Sequence, residues 1–154
     1  MSPATAIQPV KILFVCLANL CRSPLAVALT RHGHAPAIEA ASAGVQPAAG
    51  RMFPEALQVI KRVTGQDMSG HVPRNVLDAQ PQDFDYIIAM DSSVFWRLSE
   101  MPQIPKDKLY GWEIPDPCGY GIDAYEKTAV QIEACLEQFL LNREMERGVL
   151  GRKP

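Results

Sequence analysis

Two kinds of apolar pattern alternate along this chain of 154 residues. Short unbroken apolar runs, such as Ile12–Val15, are typical of strands that a parallel sheet buries on both faces. Longer stretches, such as Phe53–Val63, place apolar residues three or four positions apart, which predicts helices that lie with one face on the sheet. Because the two kinds follow one another in turn, we predict an α/β fold with a parallel sheet and right-handed crossovers.

The pattern predicts four strands and four helices. The strands are Lys11–Val15, Ile38–Ala43, Asp85–Met90 and Lys108–Gly111. The helices are Pro24–His32, Phe53–Thr64, a third from the N-cap Asp91 to Leu98 or Ser99, and a C-terminal one with apolar residues from Tyr125 to Leu140. Gly33 and Gly65 are expected to end the first two helices, because glycine readily adopts the backbone that closes a helix.

The composition fits a single domain over residues 1–154, with an ordered core at about residues 10–141 and frayed ends. A net charge of −2 gives no electrostatic reason to expect nucleic acid or an anionic membrane as a partner. The chain start lacks the pattern of a signal peptide, and no apolar stretch is long enough to span a membrane. The four cysteines contain no C-x-x-C pair, so we expect a cytoplasmic protein with reduced thiols and without a metal site or other cofactor.

The segment Cys16–Pro24 carries the strongest chemical signal in the sequence. It places a cysteine, five residues and then Arg-Ser between a predicted strand and a predicted helix. Open α/β sheets bind ligands at the carboxyl ends of their strands, and N–H groups at a helix N-terminus hold tetrahedral oxyanions. We therefore predict a phosphate-binding loop formed by Leu17, Ala18, Asn19, Leu20, Cys21, Arg22 and Ser23.

Three catalytic residues complete the predicted chemistry. An ordinary cysteine has a pKa of about 8.5, so Cys16 needs the loop N–H groups, the charge of Arg22 and the Ser23 hydroxyl to act as a thiolate nucleophile. Arg22 can also hold two phosphoryl oxygens in a bidentate contact. Asp116 lies in the stiff sequence Ile114–Pro117, where it can protonate the leaving oxygen and then deprotonate the attacking water.

These features resemble the low-molecular-weight protein tyrosine phosphatase family over nearly the whole chain, from about Val10 to Leu141. Cys16–Pro24 matches the family's C-x5-R-S-P loop, and Asp116-Pro117 matches its late Asp-Pro. The other matches are Ser42-Ala43-Gly44 for Ser-Ala-Gly, His71-Val72-Pro73-Arg74 for His-x-Ala-Arg, and Asp83–Asp91 for the aspartate-rich third strand.

The resemblance implies both a fold and an activity. The fold is an α/β three-layer sandwich with a central four-stranded parallel sheet flanked by helices. The activity is hydrolysis of phosphomonoesters without a metal, through a phosphocysteine intermediate on Cys16 with Asp116 as general acid and base. The residues that would brace the phosphate loop are Asn19, Ser23, Ser42 and His71.

The sequence departs from the family around the substrate slot. Relatives often carry an aromatic residue shortly after Ser-Ala-Gly and a tyrosine directly after Asp-Pro. This chain has small residues at both places, and Tyr120 comes two residues late. We therefore predict weakened aromatic walls in a slot lined by Leu17, Ala48, Ala49, Cys118 and Tyr120. Leu20 favours phosphotyrosine as the substrate, because related arginine phosphatases carry threonine there.

Two cysteines near the nucleophile suggest redox control. A reversible disulfide between Cys16 and Cys21 would protect the nucleophile from overoxidation. Cys118 lies beside Asp116 in the sequence, so it could take that role instead. Both pairings stay open on the sequence alone.

The leading hypothesis is therefore a phosphatase that acts on a phosphorylated protein, with phosphotyrosine as the favoured group and a tyrosine kinase as a candidate partner. We expect a monomer or a weak dimer, and Tyr120 and Tyr125 are candidate phosphorylation sites. A thiol-coupled arsenate reductase is one alternative, although its relay cysteines are missing between Cys21 and Cys118. A non-catalytic phosphate-binding module is another, which the presence of both Cys16 and Asp116 disfavours.

Overall fold

The computed structural model describes residues 8–146, which contain four strands and four α-helices. The strands are β1 (Val10–Cys16), β2 (Ile38–Gly44), β3 (Tyr86–Ala89) and β4 (Leu109–Gly111). The helices are α1 (Arg22–His34), α2 (Pro54–Thr64), α3 (Ser92–Ser99) and α4 (Ile122–Glu146). All strand pairs are parallel, in the order β2-β1-β3-β4. The prediction of a four-stranded parallel sheet flanked by helices is confirmed.

The central strand β1 shows why the fold has three layers. Its side chains alternate between the two faces of the sheet. Ile12 and Phe14 join one buried cluster with α1, α2 and α4, whereas Leu13 and Val15 join a second cluster with α3 and the 3₁₀ turn Val76–Ala79. An unbroken apolar run is therefore needed, because both faces of the strand are buried.

The first helix ends later than its glycine predicted. Gly33 lies inside α1, which continues to His34. Ala35 then takes an extended conformation, with φ −70° and ψ 145°, directly before Pro36. Because a residue before proline is pushed out of the helical region, the proline and not the glycine sets this boundary. Gly65 does end α2 as predicted, in the left-handed region with φ 75°.

The last helix is longer than its apolar pattern predicted at both ends. It begins at Ile122 and continues to Glu146, beyond the predicted limit of the ordered core at residue 141. Arg143 stacks over the rings of Tyr110 and Phe139, at 4.8 and 4.6 Å from their centroids, which docks this polar turn on the sheet. The predicted fraying of the chain ends concerns residues 1–7 and 147–154, which lie outside the described residues.

The register of the sheet brings the carboxyl ends of its strands to one edge. Cys16 at the end of β1 pairs with Gly44 at the end of β2, and Val15 pairs with Ala89 at the end of β3. The loops that follow these strands therefore meet at this edge, which is where open α/β sheets bind ligands. In residues 8–146, no helix has the length and apolar character needed to cross a membrane.

Candidate active site

The loop after β1 is held so that its N–H groups face inward. The carbonyl oxygens of residues 16, 17 and 18 accept hydrogen bonds from the N–H groups of residues 45, 46 and 48, at 3.1, 2.8 and 3.3 Å. The carbonyl of Asn19 contacts His71 Nε2 at 2.8 Å. Because the N–H of a peptide unit points opposite to its carbonyl, four outward carbonyls leave the following N–H groups directed into the loop. This arrangement forms a nest for an oxyanion.

Asn19 lies at the centre of this loop and is fully buried. Its φ of 60° places it in the left-handed region, which asparagine tolerates better than most residues. Its Nδ2 donates to Ser23 Oγ at 2.8 Å and to Ser42 Oγ at 3.0 Å. Its Oδ1 accepts from the backbone N of Arg74 at 3.0 Å. One side chain therefore connects the loop to α1, to β2 and to the segment that carries His71.

Gly44 is required by the close approach of β2 to the loop. A Cβ at this position would lie 2.7 Å from the carbonyl oxygen of Leu17, closer than real Cβ atoms come to such an atom. The other near atoms are the backbone N and the Cβ of Asn19, both at 3.1 Å, and neither is the far end of a flexible side chain. The Ser-Ala-Gly sequence therefore supplies two parts of the site, the Ser42 hydroxyl and the space beside Gly44.

Cys16 lies at the bottom of the loop with its side chain almost fully buried. Its Sγ accepts a hydrogen bond from the backbone N of Asn19 at 3.3 Å. Ser23 Oγ lies 3.0 Å from the same sulfur and already accepts from Asn19 Nδ2. The Ser23 hydroxyl can therefore donate its proton to the sulfur. The other acceptor near this hydroxyl, the Ala43 carbonyl, is farther away at 3.5 Å. Two hydrogen-bond donors are therefore directed at the Cys16 sulfur.

Arg22 is oriented by two protein acceptors on one nitrogen. Its Nη1 donates to Asp91 Oδ2 at 2.8 Å and to the Ile114 carbonyl at 2.7 Å. Asp91 was predicted only as the N-cap of α3, and its Oδ1 does accept from the backbone N of Val94 at 2.8 Å. The same carboxylate thus holds the helix and the arginine, a second role that the sequence analysis missed. Its position directly after the β3 segment was the available signal, because that edge carries the site.

Asp116 and Cys16 line the same pocket, which has a volume of about 160 Å³. Asp116 Oδ1 accepts from the backbone N of Cys118 at 3.0 Å, so the carboxylate is held by its own turn. The pocket brings together the three sequence-predicted catalytic residues, two from the phosphate loop and Asp116 from a loop distant in sequence. It is lined by Cys16, Ala18, Leu20, Cys21, Arg22, Phe53, Asp116 and Cys118.

The aromatic wall of this pocket comes from a residue that the sequence analysis did not identify. Phe53 precedes Pro54 at the start of α2, and its ring lines the pocket while remaining 38% exposed. Among the described residues that line the pocket, Cys118 is the one member of the predicted slot. The members that do not line it are Leu17, Ala48, Ala49 and Tyr120.

The chain path accounts for where the predicted slot residues lie relative to this pocket. The backbone N of Ala48 is used to hold the loop carbonyl of Ala18, so residues 45–48 run beside the loop and the aromatic residue comes later. Tyr120 lies between Gly119 and Gly121, whose φ angles of 84° and 88° turn the chain, and it is 79% exposed. It lines a neighbouring groove on the outer side of Asp116.

Cys21 is a buried member of the pocket lining, and its side chain contacts α4. Its Sγ is 3.4 Å from the hydroxyl of Tyr125. Burial raises the pKa of the Cys21 thiol to about 11, although the Tyr125 hydrogen bond acts in the opposite direction. Burial and the hydrogen bond with Cys21 also raise the pKa of Tyr125. Since Tyr125 is only 2% exposed, it is excluded as an accessible phosphorylation site, and Tyr120 alone keeps that possibility.

The described residues contain no cluster of side chains that points to a bound metal. Over residues 8–146, no three histidine, cysteine, aspartate or glutamate side chains are grouped closely enough to hold an ion. In the same part of the chain, every buried side-chain nitrogen and oxygen has a hydrogen-bond partner. The polar network around the loop is therefore complete on protein groups alone.

Comparison with known proteins gives one consistent family. The model of the low molecular weight phosphotyrosine protein phosphatases matches residues 11–149. The chain is 32% identical to the low molecular weight protein-tyrosine-phosphatase YfkJ of Bacillus subtilis, over 90% of this chain and 98% of YfkJ. A low molecular weight protein tyrosine phosphatase from T. tengcongensis superposes with a TM-score of 0.77 at 27% identity, covering 86% and 99% of the two chains. The YwlE arginine phosphatase of Geobacillus stearothermophilus gives 0.76 at 28% identity, covering 90% and 97%.

Proposed function

Because the chain belongs to the low molecular weight phosphotyrosine protein phosphatase family, we propose that it hydrolyses protein phosphotyrosine through a phosphocysteine intermediate on Cys16. The observation that carries this proposal is the environment of the Cys16 sulfur. It accepts from Asn19 N, contacts the Ser23 hydroxyl and opens into a pocket shared with Arg22 and Asp116. A nucleophile, an anion clamp and a proton donor therefore share one small volume.

In the first step the thiolate attacks phosphorus, so a sulfur–phosphorus bond forms and the bond from phosphorus to the tyrosine oxygen breaks. Asp116 gives its proton to that oxygen, and tyrosine leaves as the neutral phenol. The loop N–H groups and the Arg22 guanidinium hold the equatorial oxygens, where the transition state spreads its charge. Asp91 and the Ile114 carbonyl fix the guanidinium plane before the substrate arrives.

In the second step Asp116, now a carboxylate, takes a proton from water while the water oxygen attacks phosphorus. The sulfur–phosphorus bond breaks, phosphate leaves and Cys16 returns as a thiolate. The Ser23 hydroxyl stabilises that leaving thiolate with the hydrogen bond it makes in the resting enzyme. No metal or other cofactor is needed for either step.

The pocket lining supports phosphotyrosine over phosphoarginine, the substrate class in the name of the related YwlE phosphatase. Phe53 offers a ring for stacking on an aryl group, and Leu20 adds a second apolar surface. A guanidinium leaving group would instead require several acceptors, and among the described residues that line this pocket Asp116 is the one carboxylate.

Two further parts of the proposal concern the setting of the enzyme. The family acts on phosphorylated proteins, and we propose a substrate phosphorylated on tyrosine by a partner kinase. The four cysteines are unpaired in the structure, as a catalytic thiol requires, which supports a cytoplasmic location. Thiol-coupled arsenate reduction has less support, because the chain offers no relay cysteines between Cys21 and Cys118.

Turnover of p-nitrophenyl phosphate in EDTA tests the proposed chemistry. We expect activity in the wild type, none with Cys16→Ala, and a loss of about 10²–10⁴-fold in kcat with Asp116→Asn, which is the range for general acid catalysis. A matched control is Cys135→Ala, which removes a half-buried thiol in α4 away from the pocket. Activity that survives Cys16→Ala, or that depends on added metal, would contradict the mechanism.

A further inference from the structure

A second pocket shares no lining residue with the pocket that contains Cys16. It has a volume of about 400 Å³ and opens beside β2, which is an edge strand of the sheet. Two guanidinium groups and one imidazole line this pocket. Arg31 lies on α1, whereas His71 and Arg74 lie on the segment that follows α2. The opposing charge on the lining is the carboxylate of Asp67. The pocket therefore has an excess of positive charge in a chain whose net charge is −2.

The carboxylate in this pocket is already engaged by its own turn. Asp67 Oδ1 accepts a hydrogen bond from the backbone N of Ser69 at 2.9 Å. The contacts with Ser69, and then the charge of Lys61, lower the pKa of this exposed carboxyl group. A further cation stands beside the same turn, because Arg51 Nη1 donates to the Ser69 carbonyl at 3.2 Å. The turn is thus surrounded by positive groups in addition to those that line the pocket.

Two of the lining residues are bonded directly to the network that supports the phosphate loop. His71 Nε2 contacts the Asn19 carbonyl at 2.8 Å. Arg74 donates its backbone N to Asn19 Oδ1 and its Nε to the Ser42 carbonyl, both at 3.0 Å. From Asn19 the chain of contacts continues through Ser23 to the Cys16 sulfur. The Arg74 side chain contacts Ser42, whose hydroxyl accepts from Asn19, so a ligand that moved this side chain would act on the loop through Ser42 and Asn19.

We propose that this second pocket binds a phosphate-bearing small anion, held between Arg31 and Arg74, and that its occupancy lowers turnover at the phosphate loop. Guanidinium groups are suited to phosphate because their N–H donors match its oxygens in pairs. An anion between the two arginines draws the Arg74 guanidinium from the Ser42 carbonyl. The site goes beyond the proposed function, since it is separate from the pocket in which phosphotyrosine is hydrolysed.

The test uses inorganic phosphate as the probe and two readouts on the full chain. Amide NMR titration of the wild type should give two binding events, one reported by residues 17–23 and one by residues 67–74, with different dissociation constants. Arg31→Gln should weaken the second event by about fivefold or more and leave the first unchanged. Lys108→Gln is the matched control, because it removes one positive charge beside β4 at the opposite edge of the sheet.

Kinetics supply the second readout. Phosphate, as the product, should compete with p-nitrophenyl phosphate at the loop, and it should also lower the apparent kcat of the wild type through the second pocket. In Arg31→Gln the effect on kcat should vanish while competition remains and activity without phosphate is unchanged. The proposal is overturned if residues 67–74 titrate with the same dissociation constant as the loop, or if Arg31→Gln and Lys108→Gln behave alike. The NMR measurement needs no turnover, so failure of the proposed function would leave it interpretable.

Discussion

At the scale of single residues, Asn19 contributes to the site through its backbone and through its side chain. Its φ of 60° shapes the loop, and its amide makes three hydrogen bonds to Ser23, Ser42 and Arg74. Glycine at this position would keep the backbone conformation and lose the three bonds. Alanine would lose the same bonds and also strain the backbone. The two substitutions therefore separate the two contributions.

We expect both Asn19→Gly and Asn19→Ala to lower kcat for p-nitrophenyl phosphate, because Ser23 and Ser42 lose their common donor. Asn19→Ala should unfold more easily than Asn19→Gly by about 1 kcal/mol, the order of the penalty for a left-handed alanine. Urea unfolding followed by fluorescence measures the difference. Equal stability of the two variants would show that the loop can relax to an ordinary backbone conformation, which the structure does not predict.

Cys21 and Cys118 differ in their access to solvent, since Cys21 is buried and Cys118 is exposed. The pKa of Cys21 is raised to about 11, chiefly by burial, so the fraction of thiolate at neutral pH is very small. Attack on an oxidised Cys16 requires a thiolate, which makes Cys21 a slow partner for the disulfide considered in the sequence analysis. Both Cys21 and Cys118 line the pocket that holds Cys16, and of the two it is Cys118 that is exposed. We therefore expect Cys118 to be the more reactive partner.

Alkylation by iodoacetamide, located by fragment ions in mass spectrometry, checks this expectation. Labelling of Cys21 should be slow at pH 7 and should rise about tenfold per pH unit up to a pH near 11, because the thiolate is the reacting form. The Tyr125 hydrogen bond lowers the pKa of Cys21, so Tyr125→Phe should raise that pKa and slow the labelling further. Labelling of Cys21 as fast as that of Cys118 at pH 7 would contradict the assignment.

At the scale of elements, the strands and helices could be predicted because each carries its own signal. The β1 run and the helical spacing of α2 depend on neighbouring residues alone, and both elements lie close to their predicted positions. The predicted end of α1 was wrong because Gly33 and Pro36 are both signals for the end of a helix. The proline sets the boundary in the structure. The start of α4 was missed although Ile122 lies three positions before Tyr125, at helical spacing, and packs against the same core cluster.

The junction between β2 and the phosphate loop gives a prediction at this scale. Gly44→Ala should lower the melting temperature and the activity together, because the new methyl group would lie 2.7 Å from the Leu17 carbonyl. Gly33→Ala should have the opposite effect on stability, since no atom lies within 4 Å of its Cβ and alanine favours a helix by about 1 kcal/mol over glycine. Thermal unfolding measures both. A Gly44→Ala protein as stable and active as the wild type would mean that β2 does not constrain the loop.

At the scale of the whole molecule, the active pocket is assembled from loops that are distant in sequence. The residues from Cys16 to Ser23 could be predicted because nucleophile, nest and arginine lie within one motif. Phe53 and the second role of Asp91 could not, because they depend on how the loops after β2 and β3 approach that motif. A local sequence pattern gives the chemistry of the phosphate, whereas the tertiary arrangement decides what surrounds the rest of the substrate.

The preference for an aryl substrate should therefore depend on Phe53, although no motif marks it. We expect Phe53→Leu to lower kcat/KM for a phosphotyrosine peptide by about 2- to 10-fold, which corresponds to the loss of one aromatic contact. The same substitution should change kcat/KM for the matched phosphoserine peptide much less, because that substrate has no ring to stack. Tyr120→Leu is the control, since Tyr120 is 79% exposed and lies outside the pocket. A larger loss of phosphotyrosine activity in Tyr120→Leu than in Phe53→Leu would show that Tyr120 moves over the pocket when substrate binds, and that the aromatic wall of the working enzyme is Tyr120.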